Sequence, residues 1–542
     1  MEQNATDLDL RRHVLLGCRH MLNTLDERHG YLPFFHYELV QPPVCIKHGP
    51  FDSPHVVGRY LDALTRSAAF VDLPQADEVY GALAGFLYDS LAQHPSGLAW
   101  NTPGAWQPDV AVLHNCREMM YGLLALWRGR GDERAAAAAR DFCRSLLNIL
   151  DNGSRFGGEC LGRHGWTTAF SGVLAPPPTT SGRFIRPLLA YYRLTQDDVA
   201  LTLLQRFVAD NLAVAFTEDG QITDGAGSHV HSITSALTGL VDWALYTVDR
   251  PLLARLRRVY DEGLAGLRSS YGWVKEFRYS LAPPGSLDGA GYPAYDIPRG
   301  EANNTGDLVE AALLLGAAGW PVYYEDAECM VRNHLLASQI LDVSWVEETT
   351  GLADSAEVRF GGVAQRVEGG FCFGSPNGLI SYKAEPYQVN ADLAGGAVQA
   401  ICEVWDTIWR QDDERIRIDL YFTKASEELA LQVPARGYGP ITAELRRPAQ
   451  LSFRIPSWVP RDQVRYQVDH SDLRLGEPNI NDGYLALPAL PAGSHVQVWL
   501  GEHEKSTVEL ISGQSYRIEW RNNRVTAIDP PGEVLSLYGD VR

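Results

Sequence analysis

The chain is 542 residues long and carries a formal net charge of −20. That length calls for more than one domain and a large buried core. The charge speaks against nucleic acid or an anionic membrane as partner.

No apolar run is long enough to span a bilayer. The opening MEQNATDLDLRRH has neither the basic start nor the apolar stretch of a secretory signal. The eight cysteines are scattered without a CxxC pair, and Cys18, Cys143, Cys329 and Cys402 lie among apolar helical residues. Reduced, buried thiols are expected there. The expectation is a cytoplasmic protein without structural disulfides, as a monomer or homodimer.

In chain order, apolar residues recur at three- and four-residue spacing over 7–24, 55–70, 76–92, 114–128, 132–149, 181–194, 196–211, 230–247, 251–269, 302–318, 322–340 and 391–410. This is the period of the amphipathic helix, and it predicts twelve of them. Short turns such as Arg130-Gly131-Asp132, Thr195-Gln196-Asp197, Val248-Asp249-Arg250 and Gly319-Trp320-Pro321 join several pairs. Long connections (25–54, 94–113, 150–180, 212–229, 270–301 and 341–390) separate the pairs, and loops of that size are usually functional. Alternating short and long connections fit a closed (α/α)6 toroid with inner and outer helices and the long loops at one mouth. A right-handed helical solenoid is the other arrangement with the same alternation.

From about residue 413 the period changes to two, beginning with Ile416-Arg417-Ile418-Asp419-Leu420-Tyr421-Phe422. The short strands that follow predict an antiparallel β-sandwich. The domains expected are therefore 1–412, the toroid, and 413–542, the sandwich.

Each long loop delivers polar residues to the start of the next helix. These are Asp52, Ser53 and His55 with Arg59; His114 and Asn115 with Arg117 and Glu118; Ser181 and Arg183; His229 and His231; Glu301, Asn303, Asn304 and Asp307; and Asn390 with Asp392. In a toroid these starts converge on one cavity. Trp100, Trp106, Trp166, Trp273 and Tyr292 lie in the same loops. Aromatic faces among carboxylates, imidazoles and guanidiniums suit sugar recognition. Each member also has a plainer account. Ser53, Ser181 and Asp392 read as helix caps. Arg59 and Arg183 can pair with acids in the ring wall. His229 and His231 form a metal pair without an obvious third ligand. The tryptophans can plug a domain interface, and Glu276 can be a surface acid.

At this point the sequence resembles the β-L-arabinofuranosidase-like glycoside hydrolases, family 127 and relatives. The resemblance lies in Gly300-Glu301, Thr305-Gly306-Asp307, Tyr324-Glu325-Asp326-Ala327, Arg332-Asn333-His334-Leu335 and the later Leu451-Ser452-Phe453-Arg454-Ile455-Pro456-Ser457-Trp458. It implies an (α/α)6 barrel followed by a β-sandwich. In that family a Glu-x-Cys and a later Cys-Cys pair hold zinc, and one cysteine is the nucleophile. Here Glu301 matches, but Asn303 stands at the cysteine position, and the later helix opens Asn390-Ala391-Asp392-Leu393-Ala394-Gly395-Gly396 without a thiol. No metal and no cofactor are expected.

What remains is acid–base chemistry. The expected catalytic set is Glu301, with His231 beside the reacting group and Glu276 as second carboxylate. Asp52, His55, Arg59, His114, Trp166, Arg183, His229, Tyr292 and Asn303 are expected to bind a saccharide or other small molecule. The leading reading is a glycosidase. A lyase, dehydratase or epimerase acting on a carboxylated or hydroxylated substrate is the alternative, as is a non-catalytic sugar-binding relative.

Overall fold

Each of the twelve apolar-periodic stretches is helical in the computed structural model, which describes residues 8–49, 53–73, 76–101, 111, 113–149, 176–278, 298–381, 388–435 and 439–538. The helices are α1 (Leu10–Asn23), α2 (Ser53–Ser67), α3 (Ala76–Ala92), α4 (Cys116–Leu124), α5 (Glu133–Ile149), α6 (Ile185–Thr195), α7 (Asp198–Val214), α8 (Val230–Tyr246), α9 (Arg250–Arg258), α10 (Ala302–Ala317), α11 (Val322–Met330) and α12 (Ala391–Thr407). Polar turn residues set several of the boundaries. Asp197 accepts from the Val199 and Ala200 N–H groups to open α7, and Asp249 accepts from Leu252 N–H to open α9. Gln196, in the left-handed region at φ 53°, ends α6. The stretches 251–269 and 322–340 are shorter as α-helix than their apolar period suggests. Each passes into a π turn, Val259–Gly263 and Val331–Leu335.

Packing closes the ring. α2 lies against α4, α4 against α6, α6 against α8, α8 against α10, α10 against α12, and α12 against α2. These six are the inner helices, and α2, α8, α10 and α12 are buried along most of their length. The outer helices α3, α5, α7, α9 and α11 each pack on the inner helix that precedes them, while α1 packs on α12. The fold is an (α/α)6 toroid, and its first helix pairs with its last.

Two long connections that look structureless in sequence pair with each other. Strands Val358–Arg359, Cys45–Lys47, His36–Glu38 and Val389–Asn390 form a four-stranded sheet, whose last strand feeds directly into α12. Beneath it Phe34, Tyr37, Ile46, Ile340, Val363 and Cys372 make a separate small core.

Strands follow α12 at once. The first, Trp409–Gln411, already belongs to a five-stranded sheet, so the sheet begins before residue 413. That sheet faces a six-stranded one as the sandwich, and one of its pairings, Ala449–Arg454 with Arg415–Ile418, is parallel. The last long strands do not join the sandwich. Glu504–Ile511, Gln514–Arg521 and Arg524–Asp529 form their own antiparallel sheet. Its apolar residues Tyr516, Ile518, Trp520 and Val525 pack on Tyr271 and Trp273 of the toroid. Among the described residues, no helix is long and apolar enough to cross a membrane.

The inner ring depends on close helix approach where two glycines meet. A methyl on Gly58 of α2 would strike the Glu118 carbonyl and lie 2.8 Å from Met119 N, and one on Gly122 of α4 would lie 2.7 Å from Gly58 Cα. We predict that Gly58→Ala costs about 2 kcal/mol or more through overpacking. Gly81→Ala, on the exposed side of α3 with nothing within 4 Å of its Cβ, should instead stabilise by about 0.5–1 kcal/mol. Equilibrium denaturant unfolding of both variants checks the contrast.

Candidate active site

Glu301 occupies the N-cap position of α10, at φ −131° and ψ 125°, but its side chain makes no capping bond. The segment leading to it runs antiparallel to the 274–278 stretch. Lys275 bridges to Gly300, and the Glu301 N–H donates to Val274 O at 3.2 Å. A glycine is needed before it, because a Cβ at position 300 would strike Trp273 Nε1 and lie 2.8 Å from Cε2 of the same ring. This entry leaves the carboxylate to other partners. Asn303 Nδ2 donates to Glu301 Oε1 at 3.2 Å and to Asp392 Oδ2 at 2.7 Å. His231 Nδ1 lies 3.3 Å from Glu301 Oε1, and His229 Nε2 lies 3.7 Å from Oε2.

Two buried arginines tie the surrounding helix starts together. Arg59 of α2 pairs with Glu118 of α4 and, at 3.0 Å, with Asp392 of α12. Arg117 of α4 reaches Asp307 Oδ1 of α10 at 2.9 Å and His231 Nε2 of α8 at 3.1 Å. Each carboxylate has several donors. Asp392 Oδ1 also accepts from His55 Nε2 at 2.7 Å. Gln399 donates to Glu118 Oε2 at 3.3 Å, and Thr234 Oγ1 donates to Asp307 Oδ2 at 2.9 Å. Gly396 makes room for this, since a methyl there would meet the Asn303 amide and lie 2.6 Å from Arg59 Nη1.

These contacts set protonation. Burial raises the Glu118 carboxyl, but Arg59 and Arg117 outweigh it and bring it down to about 2. Burial acts the same way on Asp392 and is overcome by Arg59 and His55, so its carboxyl lies well below the usual range. For His231, burial and then Arg183 and Arg117 push the imidazole well below its ordinary value, so it is neutral. Its Nε2 faces an Arg117 N–H and must accept. The ring proton therefore sits on Nδ1, directed at Glu301. The 3.4 Å approach of Nε2 to Asp307 is consequently no ion pair. His114 is likewise held neutral by burial and by Arg183, and it stacks on His55 at a centroid distance of 4.5 Å.

The structure thus brings His55, Arg59, His229, His231, Glu301 and Asn303 into one contact network, with His114 stacked on it. Arg183 opens α6, buried to 1 % exposure, and acts electrostatically on His114, His231, Asp307 and Asp392. Glu276 is also buried and is held by Arg299 at 2.8 Å. It is no surface acid. Asp52, Trp106, Trp166 and Tyr292 lie outside the described residues.

The described loop tryptophans have structural partners. Trp273 packs under the three-stranded sheet and donates to Gly374 O at 3.0 Å. Trp100 donates to Ser96 Oγ at 2.9 Å and stacks on His94. The centre of the network, Arg117 and Glu118, is absent from the set expected to bind or react. Its signal is an adjacent ionic pair inside the otherwise apolar Cys116–Leu124. Asp392, which reads as a cap, leaves capping to Asn390, whose side chain accepts from Leu393 N–H at 2.9 Å.

The zinc implied by the resemblance does not fit these residues. The one amide of Asn303 already links the two carboxylates, as a donor where a metal would need donors of electrons. Among the described residues seven cysteines are free thiols, each raised above the ordinary value by burial. Cys372 sits in the small core under the four-stranded sheet. His229, His231 and Glu301 are close enough to share an ion, but holding one on Nδ1 would require His231 to carry its proton on Nε2, against the Arg117 N–H.

No protein-family model and no curated protein matches the chain. Solved structures do. A GH127 β-L-arabinofuranosidase from Geobacillus stearothermophilus T6 is similar at a TM-score of 0.59 and 13% identity, covering 94% of this chain and 80% of that one. A second GH127 β-arabinofuranosidase matches at 0.59 and 14%, covering 96% and 81%. A further glycoside hydrolase matches at 0.57 and 14%, covering 91% and 83%. At this identity the likeness establishes the shared fold.

Two predictions follow from the network. Glu118→Gln should cost about 3 kcal/mol at neutral pH, because it leaves buried guanidinium unpaired. Glu118 titrates at about 2 in the fold against 4.5 when free. Its stabilisation is therefore complete above pH 4.5 and is lost as pH falls toward 2. The difference between wild type and Glu118→Gln should shrink through that window in denaturant titrations at stepped pH. Elemental analysis of protein purified without chelator should find clearly less than one zinc per chain.

Proposed function

We propose that the chain is a sugar-acting enzyme, a glycoside hydrolase that works by carboxylate and imidazole chemistry at the open end of the ring. The observation that carries this reading is Glu301. It sits at a helix start and does no capping, and Asn303 and His231 hold it from two sides. A carboxylate preset by two donors serves as base or nucleophile. His231 is a positioning residue, since its neutral ring spends Nδ1–H on Glu301 and Nε2 on Arg117. Glu276 is the second carboxylate, fixed by Arg299 on the segment next to Glu301. Glycoside hydrolysis requires such a pair, one group moving a proton and the other attacking or activating water. Supporting the substrate class is the fold shared with GH127 β-L-arabinofuranosidases.

One observation favours a second reading. Both Glu276 and Glu301 have partners suited to the charged form, which is the state a base needs. Abstraction of a proton next to a carbonyl or carboxylate begins with a base; the proton it takes then goes to the expelled oxygen in a lyase, and in an epimerase a second group returns one to the opposite face. Localisation in the cytoplasm and action as a monomer or homodimer complete the proposal.

The prediction is that Glu301→Gln lowers turnover about 100-fold or more while leaving thermal stability and substrate binding largely unchanged. Turnover near normal would remove Glu301 from the mechanism, and joint loss of turnover and folding would make it a structural residue. Product analysis in heavy-oxygen water separates the two readings: hydrolysis places one solvent oxygen in the released sugar, and elimination or epimerisation places none there.

A further inference from the structure

Among the described residues, the inner helices and their starts contribute buried charges to the ring mouth, and all but one are hydrogen-bonded. Arg59 and Arg117 together hold Glu118, Asp392 and Asp307. Deeper in the lumen, Arg186 pairs with Glu310 and Glu403, and Arg66 pairs with Glu403. Arg183 is the exception. It is 1 % exposed, and Nε, Nη1 and Nη2 are all buried without a hydrogen-bond partner. Burying a guanidinium this way is costly, because its five N–H donors lose water and gain nothing.

The acids around it do not relieve that cost. Glu118 and Asp392 attract Arg183 at a distance, but their oxygens are already taken by Arg59, Arg117, Gln399, His55 and Asn303. Arg117 and Arg59 repel it. With burial they push its pKa down to about 10, so it stays charged at neutral pH. It therefore keeps one positive charge and an unused planar fork of donors within electrostatic reach of His114, His231 and Asp307. A purely structural arginine in that place would reach one of the neighbouring carboxylates directly, as Arg59 and Arg117 do.

We infer that Arg183 receives the carboxylate of an acidic sugar, so that the substrate is a uronate or a uronoside. This rests on the sugar-acting reading above. The guanidinium fork matches a carboxylate bidentately. Arg59 and Arg117 already face three bound carboxylates, so one further guanidinium suits a monoanion and not a phosphate dianion. Asn303 Oδ1 and His55 Nδ1, buried without a hydrogen-bond partner in the same network, are left for ring hydroxyls.

The test is calorimetric titration of the wild-type protein, Arg183→Met and Arg183→Lys with sodium D-glucuronate, sodium D-galacturonate, their neutral counterparts D-glucose and D-galactose, and sodium propionate. The expected result is that wild type binds at least one uronate about 10-fold or more tighter than its neutral counterpart. Arg183→Met should weaken that uronate by about 100-fold, the scale of losing a buried ionic partner, and leave the neutral sugar unaffected. Arg183→Lys keeps the charge without the fork and should fall between. In the absence of ligand, Arg183→Met should melt no lower than wild type, since it removes an unpaired buried charge. The inference is overturned if no uronate binds at millimolar concentration, if the preference survives in Arg183→Met, or if Arg183→Met melts well below wild type. Neutral sugars binding as well as uronates would overturn it while leaving the sugar site standing. Propionate binding as tightly as the uronates would do the reverse, keeping Arg183 as a carboxylate site and removing the sugar reading.

Discussion

The arrangement depends on one requirement: charges placed along the axis of a helical ring must find partners inside it. Six inner helices around an axis cannot fill their own lumen with apolar side chains alone, and here ionic groups line it. Water cannot satisfy them at that depth, so all the described ones but Arg183 are matched by another helix. Arg59 and Arg117 do most of this, tying α2, α4, α8, α10 and α12 by their side chains. Breaking one contact strands a charge, which is why the network acts as a unit.

That requirement also sorts the groups at the mouth. Glu118, Asp307 and Asp392 each have a guanidinium among their donors and are held as scaffolding. Glu301 has two donors, from Asn303 and the neutral His231, and an N-cap position whose usual duty it does not perform. The amide of Asn303 is central to the difference from the family the sequence resembles. It joins two carboxylates by donating protons, where the resemblance implies a cation held by thiolates. The same helix starts are therefore organised by hydrogen bonds.

Much of this was legible in the sequence, for physical reasons that differ by level. The helices and their order show because burial on one side imposes a period of 3.6 on apolar residues. The short turns show because Asp197 and Asp249 cap the helices that follow them. Convergence at the mouth follows from the alternation of connection lengths. The pairing did not show. Nothing in Arg117-Glu118 says that one side chain crosses to α10 and the other to α2, because such contacts join residues far apart in the chain. Trp273 looked like a sugar platform because loop aromatics often are one; its ring instead fills the joint under a sheet that sequence alone had assigned to the sandwich. Asp392 looked like a cap because helix starts favour aspartate, but its neighbour Asn390 does the capping.

The pairing of α1 with α12 has a consequence for the order in which the protein can form. The outer partner of the last inner helix is made before every other helix of the ring. It must wait, with its apolar face uncovered, until residues near 400 have been made. Contacts of such sequence separation are slow to form and expose intermediates to aggregation. Ring closure therefore cannot begin before α12 has been made, and the nascent chain is the stage at which this architecture most needs a chaperone.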